Sequence, residues 1–454
     1  MARLTEHAFL QDLSDLSYSS ETTFWVAYSG GLDSQVLLEL ARRSLPQSQL
    51  KAIHVHHGLH PDADQWQAHC QQYCQANGIP LLVKTIALAP GSSLESRARE
   101  ARYGVFADQL NPGDVLLMAH HQDDQVETML YHLLRGSGPR GLGGIPASRP
   151  LQVATLFRPL LNYSRQEIKG FADSNELNWV EDHSNQNIEF DRNFLRHTII
   201  PALKSRWPDA GKVFQRSAGL QQEADSLLKE LAQLDAGFRF STVSPQLPLA
   251  PIKTLEASRQ RNLLRHWFAA LAQKYDLPTP GFEELRKLVT ELIPAVEDAS
   301  PLVSWTSGAV EVQARRYREC LYVLKDFASS APEGRYPLSP EQPLELPAGL
   351  GTVSLRKAKV DEIGFSLSGN ERPEIRFSPD ENSAKPFARR TRSLKKIYQD
   401  YAVPPWLRDR IPLLYINDQL VALADLFVCD GAAVKTGENR LILSWHRADI
   451  HCGY

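Results

Sequence analysis

The stretch "FWVAYSGGLDSQVLLELARRS", Phe24–Ser44, decides the fold. An apolar run breaks into Ser-Gly-Gly-Leu-Asp-Ser, and apolar residues then resume at helical spacing. That pattern predicts a strand, a short loop and a helix N-terminus. Such a junction presents unpaired backbone N–H groups at the positive end of a helix dipole, a ready seat for phosphate oxygens. Gly30 and Gly31 let the backbone approach an anion closely, and Ser29 and Ser34 add hydroxyl donors. Asp33 beside phosphate calls for a cation between them, and Mg²⁺ plays that part in ATP sites, so Asp33 is the candidate metal ligand. Ser29, Gly30, Gly31, Leu32, Asp33 and Ser34 are the candidate ATP cradle. The pattern G-x-x-x-x-G-K-[ST], whose lysine grips the β- and γ-phosphates, is absent. A loop without that lysine suits attack at the α-phosphorus with pyrophosphate leaving whole.

Around this loop the first ~210 residues alternate between two patterns. Phe24–Tyr28, Lys51–His57, Leu81–Leu88 and Val115–His120 are β-rich runs, and Leu32–Arg43, Asp64–Ala76, Leu94–Gln109 and Asp123–Arg135 are amphipathic. Strands alternating with helices predict an α/β fold, a doubly wound parallel sheet with ligands beyond the carboxyl ends of its strands. Residues 1–212 form the expected catalytic domain. Residues 213–327 are expected to be mainly helical, 328–344 are rich in Pro, Ser and Gly and read as a linker, and 345–454 are expected to be a small α+β domain.

The chain has 454 residues, is 43% hydrophobic and 23% charged, and carries a net charge of -3, which excludes a protein that coats nucleic acid through bulk charge. Its five cysteines are too few and scattered for a disulfide framework. No apolar run is long enough to span a membrane, and the N-terminal residues have no continuous apolar segment, so the cytoplasm is the expected compartment. A homodimer is compatible with these features, and nothing in the sequence selects it.

Other stretches carry chemistry. In "HHQDDQVETML", His120–Leu130, Asp124 and Glu127 project only about 60° apart on a helix, a pair able to hold an ammonium or orient an amine. The plainer reading is a solvated acidic first turn favoured by the helix dipole. Arg99 and Arg102 share one helix face, and Arg192 and Arg196 sit in "DRNFLR"; fixed cations aimed at an α-phosphate would stabilise charge developing there. "RGSGPRGLGGI", Arg135–Ile145, is glycine-rich enough to be a loop that orders over substrate or simply a connection. His54, His56, His57 and His60 do not complete a zinc set, Cys70 and Cys74 read as core, and Trp66, Trp179 and Trp207 read as packing. Between Lys385 and Arg410, eight Lys/Arg face two Asp, a local +6 with Tyr398, Tyr401 and Trp406 interleaved. Arg389, Arg390, Arg392, Lys395, Lys396, Trp406 and Arg408 are therefore candidate RNA contacts, the cations for backbone and the aromatics for exposed bases.

"SGGLDS" resembles the PP-loop of the N-type ATP pyrophosphatases, with an adenine-nucleotide α-hydrolase-like fold. "HVHHGLHPDAD" (His54–Asp64), "HHQDDQVETML", "RGSGPRGLGGI", "EDHSNQNIEFDRNFLRHTIIPAL" (Glu181–Leu203) and "RSLKKIYQDYAVPPWLRDRIPLLY" (Arg392–Tyr415) follow in order, and the set is similar to the tRNA(Ile)-lysidine synthetase family over essentially the whole chain. The resemblance implies a ligase that uses ATP to activate C2 of the wobble cytidine of a CAU-anticodon tRNA(Ile). L-lysine then displaces AMP to give lysidine. It also implies that Asp124 and Glu127 engage the incoming lysine, and that Asp33, Arg99, Arg102, Arg192 and Arg196 belong to the catalytic set. A PP-loop tRNA thiolase and a non-catalytic RNA-binding protein on a nucleotide fold are the alternatives. The first would need a cysteine beside the site, and the second would not need an intact loop.

Overall fold

The computed structural model describes residues 4–14, 16–56, 58, 61–86, 94–181, 188–296, 301–326, 331–369, 371–437 and 439–447. It divides into two compact units, residues 1–227 and 228–454.

In the first unit, α1 (Glu6–Leu13) precedes β1 (Phe24–Ala27), α2 (Leu32–Ser44), β2 (Leu50–His56), α3 (Ala63–Ala76), β3 (Leu81–Thr85), α4 (Leu94–Gln109), β4 (Val115–Leu117) and α5 (Gln122–Leu134). A one-turn helix α6 (Pro139–Leu142), a hairpin of β5 (Ser148–Leu151) and β6 (Ala154–Phe157), and α7 (Arg165–Ser174) follow. The strands form a six-stranded sheet in the order β3-β2-β1-β4-β6-β5, parallel except for β5 at the edge. The order reverses at β1, with β2 on one side and β4 on the other. That reversal opens a crevice above the carboxyl end of β1, where ligands of such sheets bind. The sheet core is apolar. Phe24, Val26, Val36, Leu37, Leu38, Leu40 and Ala41 are buried, so β1 and α2 are packed on nearly all sides and hold the loop between them rigidly. Beyond α7 come α8 (Asp191–Phe194), a wide π-type turn Leu195–Ile199, α9 (Ile200–Arg206) and the long α10 (Ala210–Ala236).

The second unit has two cores. One surrounds Trp267, whose ring is tilted against Phe268 at 4.8 Å between centroids, with Trp305 edge-on to Phe268 at 5.2 Å. It lies between helices, among them Ala257–Tyr275, and a four-stranded antiparallel sheet of Gln246–Pro248, Leu302–Ser307, Val310–Tyr317 and Cys320–Lys325. The region expected to be mainly helical thus carries a sheet as well, and "LVSWTS" and "VEVQARRY" have the alternation for it. The segment read as a linker is also corrected. Arg335–Pro337 pairs antiparallel with Pro373–Arg376 as the edge of a five-stranded sheet, a place where a proline's missing donor costs nothing. No helix among the described residues is long and apolar enough to cross a membrane.

Candidate active site

The loop after β1 is built as its residue types dictate. Gly30 has φ +85°, and a Cβ there would stand 3.0 Å from Cys70 Sγ and 3.2 Å from Val180 Cγ2, so neither the conformation nor the space admits a side chain. Gly31 is the N-cap of α2 and brings no capping side chain to the exposed first-turn N–H groups. The Ser34 hydroxyl accepts from Ser29 N at 3.2 Å, donates to Gly31 O at 3.0 Å and lies 3.0 Å from Ser29 Oγ, which fixes the cradle's curvature. Asp33 is half-buried, and its Oδ1 has no hydrogen-bond partner among the described residues. Burial raises its carboxyl above the ordinary range, with His121 pulling the other way. A desolvated hard oxygen at a phosphate cradle fits Mg²⁺, which takes one or two carboxylates together with substrate phosphates. Ser29, Gly31, Leu32, Asp33 and Ser34 line a cavity of about 930 Å³ that also includes His54, Trp66, Arg102 and Arg165.

A second cavity, of about 440 Å³, opens beside the first, and His120 and Arg196 line both. Its acids come from α5. His121 caps that helix and Asp124 closes the box, accepting from His121 N at 2.9 Å. The same imidazole turns Nε2 to within 3.7 Å of Asp33, linking the cradle to the acid pair. Arg196 bridges the pair, 3.0 Å from Asp124 and 2.7 Å from Glu127, and Arg192 stands 3.7 Å from Glu127. Burial pushes the Asp124 carboxyl up, but His121, His120 and Arg196 together hold it below the ordinary range; for Glu127 burial wins and the carboxyl is raised. Arg196 reaches both acids from the π-type turn, an irregularity that often marks functional helices. Asp123 turns away to pair with Lys204 at 2.6 Å.

Burial, with Arg158 and Arg99 nearby, pushes His120 down to about 4, so it is a neutral imidazole at neutral pH. Its folded pKa lies below the unfolded one, so the stability it contributes is present above about pH 6.5 and is lost as pH falls toward about 4. His120→Gln is expected to flatten the fall in thermal midpoint between pH 7 and 5. An unchanged slope would remove His120 as its source.

The four arginines part company. Arg102 lines the cradle cavity, Arg99 and Arg192 line the second, and Arg196 lines both. Sequence reasoning missed Arg165 in the first and Arg149 and Arg158 in the second. The glycine-rich loop is pinned to α5: Ile145 N donates to Gln125 Oε1 at 2.6 Å, and Gly144, at φ +62°, has no room for a Cβ beside that amide. Cys70 and Cys74 are buried as expected. His54 is buried, with Nδ1 2.9 Å from Tyr28 O, and His56 lies 3.0 Å from Asp64. His57, His60 and residues 182–187 lie outside the described residues. Trp207 is corrected: at 57% exposed it is no packing residue, and Arg206 lies over its ring.

In the C-terminal patch Arg389, Arg390, Arg392, Lys395 and Lys396 are exposed, while Arg392 pairs with Asp400 and Lys385 with Asp430, each at 2.7 Å. Arg408 is half-buried and donates to Val403 O at 3.2 Å. Trp406 is a correction. It is 9% exposed and packs edge-on against Tyr322 at 5.3 Å, so no base can stack on it, and Tyr398 is equally buried. In the helix Leu394–Asp400, Leu394, Ile397 and Tyr398 form the inward stripe and push Lys395 and Lys396 to solvent.

Three family models match the chain: a PP-loop domain over residues 4–203, a TilS substrate binding domain over 247–322 and a TilS substrate C-terminal domain over 374–445. A tRNA(Ile)-lysidine synthase from Alkalilimnicola ehrlichii is 41% identical over 440 residues, covering 94% of each chain. Those from Coxiella burnetii (36% identical, 92% of each chain) and Vibrio vulnificus (41%, 90% of this chain and 93% of the relative) are similar over the same length. Among solved structures, the U34-tRNA thiolase NcsA from Methanococcus maripaludis matches 48% of this chain and 79% of its own at 17% identity, with a TM-score of 0.40. With relatives at this identity over nine-tenths of the chain, and a glycine cradle joined to its paired acids through His121, the chain belongs to the tRNA(Ile)-lysidine synthase family.

Proposed function

We propose that this chain ligates L-lysine to C2 of the wobble cytidine of a CAU-anticodon tRNA(Ile), in two steps at one composite site in the cytoplasm. The observation that carries the reading is the pair of adjoining cavities, a phosphate cradle and an acid–arginine chamber with His120 and Arg196 in both linings. In the first step the cytidine O2 attacks the α-phosphate of ATP and pyrophosphate leaves. The first-turn N–H groups of α2 and the hydroxyls of Ser29 and Ser34 receive phosphate oxygens, and Arg102 and Arg196 supply positive charge as it develops. Asp33 would hold Mg²⁺, which when bound neutralises phosphate charge. In the second step the lysine amine, oriented by Asp124 and Glu127, attacks C2 and AMP leaves.

A sulfur-transferring reading is disfavoured by the thiols nearest the cradle. Burial pushes Cys70 and Cys74 each up to about 12, so neither is a thiolate at neutral pH. Incubation of the full chain with ATP, labelled lysine and tRNA(Ile) bearing CAU tests the reading: label retained in the tRNA with AMP formed supports it, and ADP with orthophosphate rejects it.

The tRNA body is held through the C-terminal patch. Arg390, Lys395 and Lys396 are exposed and have no ion-pair partner among the described residues. Lys395→Glu with Lys396→Glu is expected to raise KM for tRNA about tenfold or more, steeply with salt, and to leave KM for ATP unchanged. Equal tRNA KM values in mutant and wild type would remove the patch from RNA binding.

A further inference from the structure

The second cavity holds more positive charge than its own side chains neutralise. Arg99, Arg149, Arg158, Arg192 and Arg196 line it, against Asp124 and Glu127. Arg192 and Arg196 lie against those two acids. Arg99, Arg149 and Arg158 have no ion-pair partner among the described residues, and each adds to the positive charge around the others. The guanidinium groups of Arg99 and Arg149 lie 5.2 and 4.8 Å from the Tyr103 ring centroid. Arg158, 4% exposed, donates from Nε to His120 Nδ1 at 3.2 Å and from Nη1 to Pro146 O at 2.7 Å. Arg158, buried beside two like charges, is costly unless an anion joins them. The same three cations hold the Tyr103 hydroxyl below its ordinary value, overriding the burial that would raise it.

The anion must sit beside two carboxylates. A phosphodiester has nothing to offer Asp124 and Glu127, whereas lysine carries an amine at the end of its side chain for the acids and an α-carboxylate at its other end for the arginines, and so uses both walls. The cavity, about 440 Å³, suits a molecule of that size and adjoins the cradle through His120 and Arg196. We propose that Arg99, Arg149 and Arg158 bind the α-carboxylate of the lysine substrate, so that the enzyme reads the amino-acid head group as well as the side-chain amine. This assignment rests on the two-step reaction proposed above.

Lysine and lysinamide, compared on the full chain, separate the two. Wild type is expected to prefer lysine by about a hundredfold in kcat/KM, the scale of paired charge-assisted hydrogen bonds. Arg149→Gln and, separately, Arg99→Gln should each cut that preference at least about tenfold by raising KM for lysine, with lysinamide little affected. Arg149 is half-buried and Arg99 exposed, so neither substitution empties the core. A wild-type chain indifferent to the carboxamide, or both variants keeping the full preference, would overturn the assignment. So would a rise in KM for tRNA with that for lysine unchanged, which would give the cations to RNA phosphate. Pyrophosphate release before lysine is added reads the underlying reaction alone; its absence from wild type would overturn that reaction and this assignment with it.

Discussion

Asp33→Asn is expected to lower tRNA-dependent pyrophosphate release by at least about a thousandfold, the scale of losing a preorganised charge at a reacting phosphate. The substitution keeps shape and volume. It removes the charge from an oxygen that has no hydrogen-bond partner among the described residues and lies in a half-buried position at the mouth of α2. An asparagine amide would also turn donors toward a cation. The measurement is pyrophosphate formed with ATP and tRNA before lysine is supplied. If the variant released pyrophosphate normally and slowed only the transfer of lysine, the cradle would not be where the α-phosphate reacts.

Glu127→Gln is expected to act on the second step, slowing lysine transfer at least about a hundredfold while adenylated tRNA accumulates. Glu127 is 3% exposed and tied to Arg196 at 2.7 Å, so the isosteric amide preserves packing but leaves the arginine to Asp124 alone. Rapid quench resolves the outcome by timing pyrophosphate and AMP separately. Loss of both together would make Glu127 a brace for the cradle instead of a reader of the amine.

The parts of this site that were legible in the sequence are local in the chain. The cradle is six consecutive residues whose chemistry needs no tertiary partner to be recognised, and Asp124 and Glu127 declare themselves by helical spacing. Alternating strand and helix patterns led to the sheet because buried parallel strands and amphipathic helices have different periods. What escaped was assembled across distance. Arg158 meets His120 from 38 residues away, through a β5–β6 hairpin for which no motif prepared the reading. Tyr398 and Trp406 were both misread as free aromatic faces; Pro404 and Pro405 break any helical periodicity ahead of Trp406, whose burial rests on Tyr322 of a distant strand.

The wide turn at Leu195–Ile199 constrains what length changes this helix can survive. Each residue in a helix advances its face by about 100°, so deleting one there would restore regular winding and swing Arg192 about a quarter-turn relative to α9. Arg192 and Arg196 would then no longer converge on Glu127 from one side. An insertion or deletion in this segment would dismantle the chamber even if every residue that lines it were kept.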